Sequence, residues 1–283
     1  MRPLTIERVL VATDLSDDDV PALRTAMALS RLAGSDLHVV HANQDGDATL
    51  EQKLEEQLRS ADPESSILPG TTIRGGHPDR VIVDVAAMID ADVVILGPHR
   101  PGRLHSPGST AYRVAAEAER PCLVLPRALR LPLGRIMVPV DASGAARGAL
   151  AVGLTWASAL RRRVPPDTAE ATGITVLHVR TPATGDTQSS PDDLLRDAIA
   201  AAGERVTAAA RVKVECLALE AADAADAILG RATADDVDLI VLGTRAQHST
   251  AGQLGSVSAA VIERAECPIL LVPPRIWRHE QES

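Results

Sequence analysis

The chain has 283 residues, 45% of them apolar, enough for two domains of ordinary size. Phe is absent and only Trp156, Trp277 and Tyr112 are aromatic, so the core must be Val, Leu, Ile and Ala, and binding of nucleic acid by aromatic stacking is excluded. Net charge is -9, with 13 basic against 19 acidic residues over 1–129 and 16 against 19 beyond, so neither half is a basic nucleic-acid module. The start is not leader-like and no 18-residue apolar span occurs, which predicts a cytoplasmic protein without a membrane segment.

In chain order, Arg8 to Thr13 reads as a first strand ending at Asp14. Ser16-Asp17-Asp18-Asp19 then supplies an N-cap and an acidic first turn for a helix running to about Ala33, with Gly34 as its stop. The acidic triplet suits a helix dipole better than a metal site. Leu37 to Ala42 is a second strand, and Thr49 to Ala61 a helix with Leu50, Leu54 and Leu58 on one face and E-E-Q-x-R on the other. Thr71 to Arg74 is a third strand, and His77 to Ile89 a helix with Pro78 in its first turn. Val93 to Leu96 is a short, wholly apolar fourth strand stopping at Gly97. A loop to Gly108-Ser109 opens the next helix, and Pro121 to Pro126 encloses a fifth strand.

The same order then repeats. V-L-V-A-T-D (Val9 to Asp14) answers I-M-V-P-V-D (Ile136 to Asp141), and L-H-V-V-H-A (Leu37 to Ala42) answers I-T-V-L-H-V (Ile174 to Val179). Val93 to Leu96 answers Leu239 to Leu242, Gly97 answers Gly243, Gly108-Ser109 answers Gly255-Ser256, and Pro121 to Pro126 answers Pro268 to Pro273. Such collinear landmarks make an internal duplication, with domains at 1–129 and 130–283 and a linker over Arg127 to Leu133. In the second copy a helix starts at Ser143, Arg161 to Thr172 is a solvated insertion, and Ser190-Pro191-Asp192-Asp193 opens a helix with Leu195, Ile199, Ala202 and Val206 buried. Val212 to Leu219 and Asp223 to Ala234 are the third strand and helix.

Apolar, unalternating strands separated by helices predict a doubly wound α/β fold, a parallel sheet covered on both faces. Ligands of such sheets lie beyond the carboxyl ends of the strands. The candidates there are Asp14, Ala42, Leu96, Gly97, Arg100, Gly108, Ser109 and Thr110 in the first half. In the second they are Asp141, Val179, Leu242, Gly243, Ala246, Gly255, Ser256 and Val257. An Asp ending the first strand can accept from ribose hydroxyls or help hold a cation. The residue closing the second strand offers backbone groups to a base, and a Gly after the fourth strand admits a ligand to the main chain. The N–H groups and hydroxyls at the last helix start are donors for phosphate.

No G-x-x-x-x-G-K-[ST], no G-x-G-x-x-G after the first strand and no G-x-S-x-G occurs, which excludes a P-loop enzyme, a dinucleotide-dependent dehydrogenase and an α/β hydrolase. Ser16 and Ser143 stand two residues after Asp14 and Asp141, where a phosphatase would need a second Asp. A binder without a catalytic constellation is expected, with ATP hydrolysis slow at most. Cys122, Cys216 and Cys267 read as buried free thiols, and His41 and His178 as packing or backbone-bonding groups. His99, His105 and His248 fit no zinc spacing, so no protein-held metal is expected.

The V-x-x-D-x-S starts (Val11 to Ser16, Val138 to Ser143), the H-containing second strands, the D-x-x-x-L-G fourth strands, the Gly-Ser helix starts and the Pro-fenced last strands resemble those of universal stress proteins, two of whose domains would be fused here. The resemblance covers nearly all the chain. It implies two tandem domains of the nucleotide-binding alpha-hydrolase-like kind, each a five-stranded parallel sheet in order 3-2-1-4-5. It further implies pairing through the last strands, here between the two halves, with a homodimer as a further option. Family members that bind ATP carry G-x2-G-x9-G-[ST]. The second half departs from it with Ala246 in place of the second Gly and eight residues before Gly255, and the first with Arg100 and seven before Gly108. Arg100 removes a Gly but offers a guanidinium to phosphate. The resemblance implies ATP, with Mg²⁺ on its phosphates, more readily in the second half, and a stress-linked sensor or regulator. The rivals are a ligand-independent interaction protein with remnant pockets, and a nucleotide-using enzyme of the wider superfamily, whose S-G-G-x-D-S loop is missing.

Overall fold

Strands that are apolar throughout have no face to give to water. In the computed structural model they lie side by side in parallel, covered by helices. Described are residues 6–43, 49–64, 67–97, 109–141, 143–161, 172–182, 193, 196, 199–200, 212–244 and 254–274. The chain divides into a first unit, Met1–Leu131, and a second, Pro132–Ser283.

The first unit runs β1 (Arg8–Ala12), α1 (Val20–Ala33), β2 (Asp36–Asn43), α2 (Leu50–Ala61), β3 (Gly70–Gly75), α3 (Pro78–Met88), β4 (Val93–Leu96), α4 (Thr110–Glu117) and β5 (Cys122–Val124). Its strands are ordered β3-β2-β1-β4-β5. Val9 is paired with Leu37 on one side and Val93 on the other, both in parallel register. Val9, Leu10, Val11 and Val93 to Ile95 have no exposed surface, as a sheet covered on both faces requires. Helix α1 packs beside α2, and α3 beside α4. Gly34 ends α1 in the left-handed conformation, φ 68°, which glycine adopts without the strain a side chain brings.

The second unit repeats the plan with β6 (Arg135–Pro139), α5 (Gly144–Arg161), β7 (Gly173–Arg180), β8 (Lys213–Glu220), α6 (Ala224–Ala234), β9 (Leu239–Gly243), α7 (Ser256–Arg264) and β10 (Ile269–Val272). The order is β8-β7-β6-β9-β10, again 3-2-1-4-5 within the unit. Its core is aliphatic apart from Trp156, which is buried. Among the described residues no helix is long and apolar enough to cross a membrane.

The Asp that precedes each fourth strand has a structural task. Asp92 Oδ2 accepts from the backbone N–H groups of Glu7 and Arg8, both at 2.8 Å. Asp238 Oδ2 does the same for Gly134 and Arg135, both at 2.9 Å. Each carboxylate thus pins the first strand to the fourth at the end of the sheet away from the loops that follow β4 and β9.

Three expectations are corrected. The acidic triplet is not a solvated first turn: Asp17–Asp19 forms a separate 3₁₀ turn ahead of α1, Ser16 makes no side-chain cap, and Asp19 is buried. The inner stripe of α2 is Leu50, Leu54, Gln57 and Ala61, so Gln57 faces inward while Leu58 is only half-buried. Its amide has partners there, which offsets the cost of burial. Cys216 is exposed, because β8 is an edge strand whose residues alternate toward solvent, whereas Cys122 and Cys267 are buried. Burial pushes the Cys122 thiol up to about 12, leaving it inert as a nucleophile. The Arg161 to Thr172 insertion and most of the helix expected after Ser190 lie outside the described residues; Ile199 is helical and half-buried.

Candidate functional site

In both units the first strand leads into the same turn. Asp14 Oδ1 accepts from the N–H of Ser16 at 2.8 Å, and Asp141 Oδ1 from that of Ser143 at 2.9 Å. The second strand is tied to this turn by its histidine. His41 Nδ1 bonds the carbonyl oxygen of Thr13 at 2.9 Å, and His178 Nδ1 that of Val140 at 3.0 Å. Both histidines are buried and bonded to backbone. His99, His105 and His248 lie outside the described residues, among which no cluster of His, Cys, Asp or Glu is placed to hold a metal.

In the second unit the turn leads directly into α5. Ser143 Oγ accepts from Ala146 N–H at 3.2 Å, capping the helix with a short side chain. Two alanines follow, and Gly243 comes close to the first: a Cβ on Gly243 would lie 2.7 Å from the backbone carbon and oxygen of Ala145. Only Gly fits, since the obstruction is main chain. Beyond Gly243, Gly255 N–H donates to Thr244 O at 2.8 Å, closing the base of the loop, and Ser258 Oγ donates to Gly243 O at 2.7 Å. These bonds aim the start of α7 at the end of β9. Gly255 is the N-cap in extended conformation, and it has no side chain to cap the first turn. The opening N–H groups of a helix have no intrahelical acceptor and carry the positive end of its dipole.

Above this arrangement is a cavity of about 390 Å³. Asp141, Val179, Leu242, Gly243, Gly255, Ser256 and Val257 line it, seven of the eight residues singled out for this half. The eighth, Ala246, lies outside the described residues. Among the further lining residues that went unforeseen are Ala146, Thr181, Asp223 and Ile228. Asp223 caps α6, accepting from Asp226 N–H at 2.8 Å. Its signal was available, since the third strand ends at the same edge of the sheet as the others. The cavity is of a size typical of small-molecule clefts.

Among the described residues, the first unit differs around the turn after its first strand. Leu15 takes φ 66°, and its N–H donates to Thr13 Oγ1 at 2.9 Å. Thr13 Oγ1 donates to Gln57 Oε1 at 2.8 Å, and Gln57 Nε2 donates to Ser16 O at 2.6 Å, so α2 is stitched to the turn. Asp19, 6% exposed, accepts from Asp14 N–H at 2.6 Å. Its other oxygen presses on Gly97, where a Cβ would lie 2.0 Å from Oδ1. Burial raises the Asp19 carboxyl to about 7; the charge of Asp14 adds to the rise and the bond from Asp14 N–H opposes it. Helix α4 caps itself, Ser109 Oγ accepting from Tyr112 N–H at 3.2 Å. Leu96 and Gly97 are buried, Ala42, Ser109 and Thr110 half-buried and Asp14 exposed, while Arg100 and Gly108 lie outside the described residues.

The model of the universal stress protein family matches residues 5–126 and again 132–273. The chain belongs to the universal stress protein family. Two tandem domains of that family account for the duplication, and the match leaves out the stretch between them that holds the unit boundary. Among solved structures, a universal stress protein from Archaeoglobus fulgidus DSM 4304 is 16% identical, with 96% of this chain and 97% of that chain covered at a TM-score of 0.66. A protein from Pseudomonas aeruginosa UCBPP-PA14 is 19% identical, with 98% and 96% covered at a TM-score of 0.70. At these identities the likeness establishes the tandem α/β fold of universal stress proteins and no ligand. No curated protein matches the sequence.

Proposed function

We propose that the second universal stress protein domain binds an adenine nucleotide, ATP in the first instance, and that the protein acts as a cytoplasmic stress sensor or regulator rather than as an enzyme. The observation that carries this reading is the open cavity of about 390 Å³ over a helix start that caps nothing of its own. Phosphate oxygens would accept from the first N–H groups of α7 and from the Ser256 hydroxyl. Val179 and Leu242 supply apolar wall for the nucleoside, and Asp141 an acceptor for ribose hydroxyls. Asp141 and Asp223 both face the cavity, so a bare polyphosphate would meet two carboxylates. Mg²⁺ on the phosphates offsets that repulsion, which is why it belongs to the proposal. No histidine is among the described residues that line the cavity, which supports a binder whose hydrolysis is slow at most. Arg100 and Ala246 take no part in this support.

Nucleotide analysis of the purified protein and a thermal-shift titration with ATP and Mg²⁺ test it. Ligand at a hundred times its Kd should add about 2.7 kcal/mol. Gly255→Val and Asp141→Ala should abolish the shift. A melting point unmoved by every nucleotide, with none co-purifying, would sink the proposal and favour a ligand-independent interaction protein. Pairing of the domains through their last strands, and any homodimer, follow from the family resemblance and are tested by sedimentation of each half expressed alone.

A further inference from the structure

The cavity of the second domain has a polar group to which no part of a nucleotide has yet been assigned. Asp223 lines it as the N-cap of α6, just beyond the end of β8. Only one of its carboxylate oxygens is engaged. Asp223 Oδ1 accepts from Asp226 N–H at 2.8 Å and lies 3.8 Å from Arg264 Nη2. Asp226 and Arg264 are not among the residues lining the cavity, and among the described residues nothing donates to Oδ2.

The sheet sets how far this oxygen stands from the phosphate donors. Its strands run β8-β7-β6-β9, so the end of β8 is three strand spacings, about 14 Å, from the end of β9 where α7 starts. Asp141 follows β6 between them, and Val179 lies in β7 opposite Leu219 of β8. A nucleotide laid along that edge, with phosphate on α7 and ribose at Asp141, carries its base past Val179 toward Ile228 and Asp223.

We infer that Asp223 Oδ2 reads the base, accepting from the exocyclic amine of adenine, and so makes the site selective for a 6-amino over a 6-oxo purine. The inference rests on the nucleotide reading of this cavity. A carboxylate accepts hydrogen bonds and donates none. It suits the amine on C6 of adenine and repels the carbonyl oxygen that hypoxanthine carries on the same carbon. The bond from Asp226 N–H fixes the side chain before a ligand arrives, so little rotamer freedom is lost on binding. With the side chain 59% exposed, water competes for Oδ2, and the preference is that of one solvent-accessible hydrogen bond.

Calorimetric titration of the full chain with ATP and with inosine triphosphate, each with Mg²⁺, tests it. The wild type should bind ATP at least about threefold more tightly, as one such bond allows. Asp223→Asn keeps an oxygen to cap α6, since Asn caps as well as Asp, and puts an amide N–H where Oδ2 was. It should melt as the wild type does and erase or reverse the preference. A wild type indifferent between the two ligands, or an Asp223→Asn protein with the wild-type ratio, would overturn the inference and leave the nucleotide reading intact. Were capping the whole task of Asp223, both ligands would weaken together and the ratio would stand. Should Asp223→Asn fail to melt cooperatively, Asp223→Ser takes its place: the shorter side chain still caps the helix but withdraws from the base, so the two ligands should bind alike. Binding of neither ligand by the wild type would retire the nucleotide reading and the inference together.

Discussion

Asp14 and Asp141 make the same turn with the same partner two residues on, and from there the two domains diverge. In the second, an Asx turn runs into a capped helix of small residues, and a cleft is left between that helix, the end of β9 and the start of α7. In the first, a 3₁₀ turn delays the helix, drives Asp19 inward and recruits Gln57 from α2 to hold the turn shut. The two halves share the parts that build the sheet and differ in how the turn after the first strand leads into its helix. The difference teaches that the same strand end and the same Asx turn can lead into different helix starts.

The sharpest way to break the comparison is at the two glycines. Gly243→Val forces a side chain into the backbone of Ala145, which cannot retreat without moving α5. Expected are loss of the ATP thermal shift and destabilisation at or above the upper end of the ~1–3 kcal/mol range for overpacking, read from urea titration. Gly97→Ala meets a side-chain oxygen instead, so Asp19→Ala in the same chain should restore most of what it loses. Failure of that rescue would mean that Asp19 is not what presses on Gly97.

Where the domains agree, equivalent variants should cost the same. Asp92→Ala and Asp238→Ala each strand two backbone N–H groups that had a charged acceptor, and each should lose about 2–3 kcal/mol by denaturant melts. A large inequality would show that the two pins are not equivalent.

A smaller, pH-dependent effect belongs to the first domain alone. The Asp19 carboxyl sits at about 7 in the fold and near 3.9 in the unfolded chain, so between these values the folded state holds the extra proton. Stability from this group is therefore complete below about pH 3.9 and lost as pH rises through about 7, at no more than ~1.4 kcal/mol per pH unit. Asp19→Asn should flatten that slope in melts from pH 5 to 8. An unchanged slope would place the titration elsewhere. The smallest effect is expected from Ser109→Ala, about 1 kcal/mol for a lost helix cap. Gly255→Ala has no cap to lose.

The strands, the duplication and the turn residues were legible in the sequence, because they follow from local pattern, whereas the strand order was implied only by the resemblance to universal stress proteins. Four-residue apolar runs between Gly and Pro are buried parallel strands wherever they occur, and Val93–Leu96 and Ile269–Val272 have the bounds that the residues predict. Asp141, Gly243, Gly255 and Ser256 could be placed at one edge of the sheet on the same grounds, since parallel strands all end there. Which way a polar side chain turns is not a local property. Asp19 looks like one more acid in a helix-start triplet, and Gln57 like one more solvent-facing amide, until Thr13, Ser16, Asp14 and Gly97 are brought around them by strands and helices as much as 78 residues distant in the chain. Only the folded chain, by supplying those hydrogen-bond partners in a dry interior, decided that Asp19 and Gln57 turn inward.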